Sequence, residues 1–156
     1  MNSTTVLPRD FIHYYEEAAK KLVALVEPLS DEQLWARPYP YGNSIGHLLL
    51  HLTGNLSYYI GTEIAGTGYV RNRPLEFSDP SRAPKDAVIK NFESAVRTVI
   101  ATLEKQAEGD WSRAYSGKGM DAAKDRFYAF LHCAGHISHH TGQIIYLCKE
   151  LDRQKQ

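Results

Sequence analysis

No apolar run in this 156-residue chain approaches the ~20 residues that a bilayer requires, which excludes a helical membrane span. Nor does one sign of charge prevail. Eighteen basic and eighteen acidic residues cancel, and without a basic stretch the chain has no electrostatic footprint for DNA or RNA. The start, MNSTTVLPRDF, lacks the charged and apolar parts of a secretory signal. Cysteine is scarce as well. Cys133 and Cys148 lie fifteen residues apart on one expected helix. That is roughly 22 Å at the α-helical rise, too far for a disulfide between them. Reduced thiols without a leader or a span lead to the expectation of a cytoplasmic protein. Sustained strand alternation, internal repeats and low-complexity segments are missing too.

What remains is helix-period apolar spacing. The first helix is expected from about Pro8 to Leu29, with Phe11, Tyr14, Ala18, Leu22, Leu25 and Leu29 as its stripe and Pro8 in its first turn. Ser30 to Gln33 has capping-box spacing, which places a short helical turn carrying Leu34 and Trp35. Two prolines and a glycine between Arg37 and Ser44 break the helix, and Asn43 or Ser44 can cap the next. The second helix is expected from Ile45 to Ala65, the third from Asp86 to Ala107 and the last from Asp121 to Leu151. Four amphipathic helices imply an all-α four-helix bundle, one domain over residues 1–156, with second beside third and third beside fourth. Its two long inter-helix connections are expected to shape a pocket at one end.

Four of the seven histidines fall within nine residues of the last helix, in FLHCAGHISHHTGQII. On the second helix, His51 lies roughly 120° from the centre of the apolar stripe and His47 roughly 160°. On the last helix, His140 lies roughly 100° off centre and His136 roughly 140°, with His132 and His139 nearer the opposite face. This ranking puts His51, His136 and His140 at the boundary between core and solvent and leaves the others exposed. Residues four apart on a helix hold their Cβ atoms ~5–6 Å apart, so two imidazoles there can converge on one metal at ~2.0–2.1 Å. A third from a facing helix completes a three-histidine set with an open position, the pattern of a catalytic metal site. Pairing alone leaves His47 with His51, His132 with His136, and Cys133 available as other ligands. Gly135 and Gly142 share a face seven residues apart, and each costs ~1 kcal/mol relative to alanine. Close approach of another backbone is the expected compensation, a weak or kinked helix the alternative.

The stretches LSDEQLWARPYP, SIGHLLLHLTGN and HISHHTGQII, in that order along the chain, resemble the DinB-like (damage-inducible, YfiT-like) family of metal-dependent four-helix bundles. The last stretch is similar to the family signature: a histidine, three residues, a histidine, one residue, then Gly-Gln. Carried over residue by residue, the resemblance makes His51, His136 and His140 the metal ligands and assigns no catalytic residue. Thr141 stands where the family more often has arginine. Some relatives carry a carboxylate at the position of His136, so the all-histidine set points to one branch. The resemblance implies a divalent metal, zinc or nickel, and a homodimer.

It also implies an enzyme that activates a low-molecular-weight thiol for S-transfer to an electrophile, in detoxification or stress response. In that reading Trp35, Tyr69 or Trp111 helps shape the substrate pocket. Hydrolysis by a metal-bound water ranks second, because neither ligand helix offers a carboxylate within a turn of the histidines. His47 or His139 would then have to act as the base. A non-catalytic metal-binding stress protein is the third reading.

Overall fold

In the computed structural model, which describes residues 6–155, the chain is all-helical. Helix α1 spans Val6–Val26 and the short α2 Asp31–Trp35. Helix α3 spans Ile45–Leu56 and runs on as a π-helical segment, Ser57–Thr62. A four-residue helix, α4, Leu75–Ser78, follows within the first long connection, and α5 spans Lys85–Leu103. Helix α6 spans Arg126–Arg153. The four long helices close a ring in which α1 and α3 each adjoin both α5 and α6. The third and fourth long helices, expected as neighbours, therefore sit diagonally. The long second connection (residues 104–125) lets the chain cross from α5 to α6 without a tight antiparallel turn.

Capping chemistry accounts for most helix ends. Ser30 and Gln33 form the anticipated capping box on α2. Ser44, rather than Asn43, caps α3 by accepting from the His47 amide. Helix α1 stops at Val26, short of the expected Leu29, with Pro28 supplying no amide donor in the turn that follows. Lys85 Nζ donates to the Glu27 and Leu29 carbonyls there, at 2.6 and 2.7 Å. Helix α6 begins later than Asp121, because the Asp125 side chain accepts from the Tyr128 amide and caps it. The residues before it hold an isolated bridge between Ala114 and Asp125.

The core fills the ring. Tyr15, Leu22, Phe92, Leu103, Phe130 and Ile137 are fully buried. Tyr15, not the anticipated Tyr14, turns inward from α1, and its hydroxyl donates to the Phe130 carbonyl at 2.8 Å. The π segment is stitched to the second connection. Tyr115 donates to the Tyr59 carbonyl and Tyr59 to the Gly119 carbonyl, both at 3.0 Å. Trp35 lies against Gly46 so closely that a Cβ there would sit 2.6 Å from the indole ring.

Gly135 and Gly142 behave otherwise. Both lie on the exposed face of α6, and nothing stands within 4 Å of a Cβ built on either. The expectation of close backbone approach is therefore wrong, because their shared face is one that no other helix covers. Gly46→Ala should lower stability by about 1–3 kcal/mol through overpacking, whereas Gly135→Ala and Gly142→Ala should each raise it by about 0.5–1 kcal/mol. Urea denaturation of the three variants checks the opposite signs.

Candidate metal centre

Helices α3 and α6 adjoin, and that seam brings three imidazoles to one point. His51 Nε2 lies 2.8 Å from His136 Nε2, and His136 Nε2 lies 3.2 Å from His140 Nε2. The rings meet at 71°, 86° and 89°, edge to face rather than stacked. Tetrahedral ligands ~2.0–2.1 Å from a zinc ion stand roughly 3.3 Å apart, so the spacing is close to that of a metal-bound set. Among the described residues these three are the one His/Cys/Asp/Glu group compact enough to hold a metal ion.

The far nitrogens decide what the near ones can do. His51 Nδ1 is 2.7 Å from Glu76 Oε2. An ionised carboxylate only accepts, so Nδ1 carries the proton and donates. His140 Nδ1 likewise donates to Gln143 Oε1 at 2.7 Å. In neutral imidazoles with protonated Nδ1, Nε2 is a lone pair. Two lone pairs thus face His136 Nε2, which has at most one proton to share. A cation among the three satisfies them all, so the residues present fit a divalent metal.

Their charge state agrees. Burial, then the neighbouring His140, His51, His132 and His139, pushes the His136 pKa down to about 3. Burial is also the main cause lowering His140, against the bond from Gln143 that raises it. Both rings are neutral near pH 7, the form a metal requires.

Glu76 is the residue that sequence reasoning missed. It sits on α4, inside the proline- and arginine-rich connection where no periodicity exists to rank positions. It is buried, and Arg71 grips it through two bonds, Nε to Oε1 at 2.6 Å and Nη2 to Oε2 at 2.9 Å. Burial alone would raise its pKa, but the bonds from His51 and Arg71 outweigh that and hold it below the ordinary carboxylate value. Gly54, one turn after His51 on α3, makes room, since a Cβ there would overlap the Glu76 carboxylate. An arginine–glutamate pair five residues apart in a non-periodic segment is the one trace of this arrangement in the sequence.

Other expectations resolve differently. His47, ranked as exposed, is buried: its ring packs edge-on against Trp35, and Nδ1 is 2.7 Å from Ser44 Oγ. Its first-turn position is covered by α2, which helical periodicity does not register. His132 and His139 are exposed, as anticipated, and lie outside the three-nitrogen cluster. Cys133 is fully buried, where burial pushes its thiol up to about 12, and it lies outside the compact three-histidine group. A cleft of about 910 Å³ opens beside the triad, walled by His51, Asn55, Tyr59, Tyr69, His132 and His136. Both long connections contribute to it, Tyr69 from the first and Gly119 from the second. Trp35 and Trp111 do not line it; Trp35 packs on Gly46, and Trp111 on Phe11 and Phe130. Gln143, left without a catalytic role in the sequence, is the acceptor that orients His140.

Comparison with known proteins gives the same fold. The model of the DinB superfamily matches residues 14–144. A conserved protein from Enterococcus faecalis of known crystal structure superposes with a TM-score of 0.74 at 15% identity, over 91% of this chain and 95% of that one. A DinB-like protein from Bacillus cereus gives a TM-score of 0.74 at 14% identity, over 97% of this chain and 95% of its own. Likeness at such identities carries the fold and no further property. No curated protein matches the sequence.

The Arg71–Glu76 pair is buried beside His51, so breaking it from either side leaves a charge uncompensated. Arg71→Ala and Glu76→Ala should each destabilise the metal-free protein by about 3 kcal/mol, and the double variant by clearly less than the sum. A denaturation double-mutant cycle measures that coupling; additive effects would contradict the pairing.

Proposed function

The chain belongs to the DinB superfamily, and on that premise we propose that it is a metal-dependent enzyme that activates a low-molecular-weight thiol for S-transfer. The observation that carries the reading is the convergence of three imidazole Nε2 atoms beside an open cleft. His51, His136 and His140 are the proposed ligands. A donor set made only of imidazole suits zinc or nickel. Bound there, such an ion supplies Lewis-acid chemistry, lowering the pKa of a thiol so that it reacts as thiolate.

The chain's own residues do the positioning. Glu76 keeps a proton on His51 Nδ1, Gln143 does the same for His140, and Arg71 fixes the Glu76 carboxylate. The cleft admits a small substrate to the side of the triad that protein does not cover. The thiol comes from that substrate, because neither free cysteine, Cys133 or Cys148, lines the cleft.

Hydrolysis stays the second reading even though a carboxylate now stands near the triad. Glu76 already accepts from His51 and twice from Arg71, and its lowered pKa makes it a weak base. Its geometry suits a partner that orients a ligand rather than one that takes a proton from water.

Tag-free protein should bind one divalent ion per chain, and His51→Ala, His136→Ala and His140→Ala should each lose stoichiometric binding. Glu76→Gln should keep the stoichiometry but weaken affinity by about 10–100-fold. Chelator competition reads both. A His140→Ala protein that held metal at full stoichiometry would contradict the assignment. Zinc-loaded protein that transferred no common cellular thiol to a panel of electrophiles would contradict the reaction.

A further inference from the structure

Helix α6 carries no Asp, Glu, Lys or Arg from Phe127 to Cys148. A helix with one face in water normally places charge there. Helices α1 and α5 do so, with Glu16, Glu17 and Lys20 exposed on the one and Asp86, Lys90 and Arg97 on the other. The outer face of α6 is apolar and small instead. At 100° per residue, Tyr128, Gly135, His139, Gly142 and Tyr146 share roughly 60° of arc on the side away from the buried Ile137, with Leu131 and Lys149 along one edge. All seven are exposed, Tyr146 by 69% and Leu131 by 49%. Nothing in its own chain approaches either glycine, although each costs ~1 kcal/mol in a helix interior.

The order of residues along the strip shows what fits it. When a second α6 lies antiparallel, related by a two-fold axis near Ser138 and His139, Gly135 meets the partner's Gly142. Leu131 then meets the partner's Tyr146, and Tyr128 the partner's Lys149, each contact occurring twice. Facing glycines let the two backbones come closer than the usual ~8–10 Å between helix axes. Lys149, the one cation on the strip, stands 5.6 Å over its own Tyr146 ring and gains the partner's Tyr128 as a second. No like charges oppose one another anywhere in this pairing. A groove of about 540 Å³ runs beside the strip, walled by Tyr39, Tyr41, His139, Gly142 and Tyr146, and the partner's Leu131 enters it. Tyr39 and Tyr41 stack there at 5.6 Å, and Tyr41 is 74% exposed. The strip is ~33 Å long, and with this groove it buries on the order of 600–800 Å² per chain, against ~800 Å² for a standard stable interface.

We infer that the outer face of α6 is the interface with a second copy of this chain, packed antiparallel with Gly135 on Gly142. The glycines lie unused in the single chain because their contact belongs to the pair. The interface borders the metal centre without entering it: His132 walls the cleft, and Gln143, which orients His140, lines the groove. It needs neither metal nor thiol, so it stands or falls apart from the function proposed above.

Sedimentation equilibrium of the full chain tests this. Wild-type protein should pass from monomer to dimer as its concentration rises, with or without metal. Leu131→Lys and Tyr146→Glu should each weaken the dimer by at least about 100-fold, because the two-fold axis puts every introduced charge into the seam twice. An equimolar mixture of those two variants should regain association, since the new lysine and the new glutamate then face each other. Gly135→Ala and Gly142→Ala should each weaken the dimer by at least about tenfold through overpacking. Their separate chains still gain the stability expected above, read in urea at concentrations that keep every protein monomeric. All four sites are exposed in the single chain, so helix content by circular dichroism should stay at the wild-type value. A wild-type chain that remains monomeric, a dimer that survives Leu131→Lys and Tyr146→Glu, or a mixture of the two that fails to associate would overturn the inference.

Discussion

Three imidazole Nε2 atoms converge on one point, where a single proton cannot satisfy every contact among them. That constraint organises this protein. His51 comes from α3 and His136 with His140 from α6, so the requirement acts across the seam between two helices rather than within one. A shared proton relieves only one of the contacts; a divalent cation relieves all of them. Burial sharpens the demand, because it keeps His136 and His140 neutral and withholds the protonation that would otherwise disperse the cluster.

The rest of the neighbourhood serves to hold that convergence. Glu76 and Gln143 fix which nitrogen of His51 and of His140 is free. Arg71 fixes Glu76, and Gly54 leaves the space the carboxylate needs. Arg71 also packs over the Tyr59 ring, 5.3 Å from its centroid, so the first connection is anchored to the π-helical end of α3. A π segment inserts a residue relative to α-helical register. Tyr58, Tyr59 and Thr62 carry on the cleft wall that His51 and Asn55 begin, at the spacing of one helical face. The regular helices α3 and α6 thus present the three imidazoles, while the first connection supplies the Arg71–Glu76 pair that orients His51.

That division explains what the sequence could disclose. A 3.6-residue period measured against an apolar stripe ranks His51, His136 and His140 at the boundary; His136 is half-buried there, while His51 and His140 are buried outright, and the bundle follows from the same stripes. Periodicity fails where a residue's surroundings come from outside its own helix. His47 was ranked exposed because nothing in α3 reveals that Trp35 of α2 lies over it. Glu76 belongs to a four-residue helix in a segment without a pattern, so its partnership with His51 exists only in three dimensions. Tyr14 and Tyr15 exchanged roles because one residue of register on α1 decides which faces the core. Gly135 and Gly142 misled for another reason, since spacing places residues on a face but does not say whether that face is covered.

Anomalous diffraction from crystals grown with zinc, recorded on both sides of the zinc absorption edge, tests the central claim most directly. The account predicts one peak per chain ~2.0–2.1 Å from Nε2 of His51, His136 and His140, with its remaining coordination open to the cleft. No peak at that point, or a zinc bound through His132, His139 or Cys133 in place of any of the three, would contradict it.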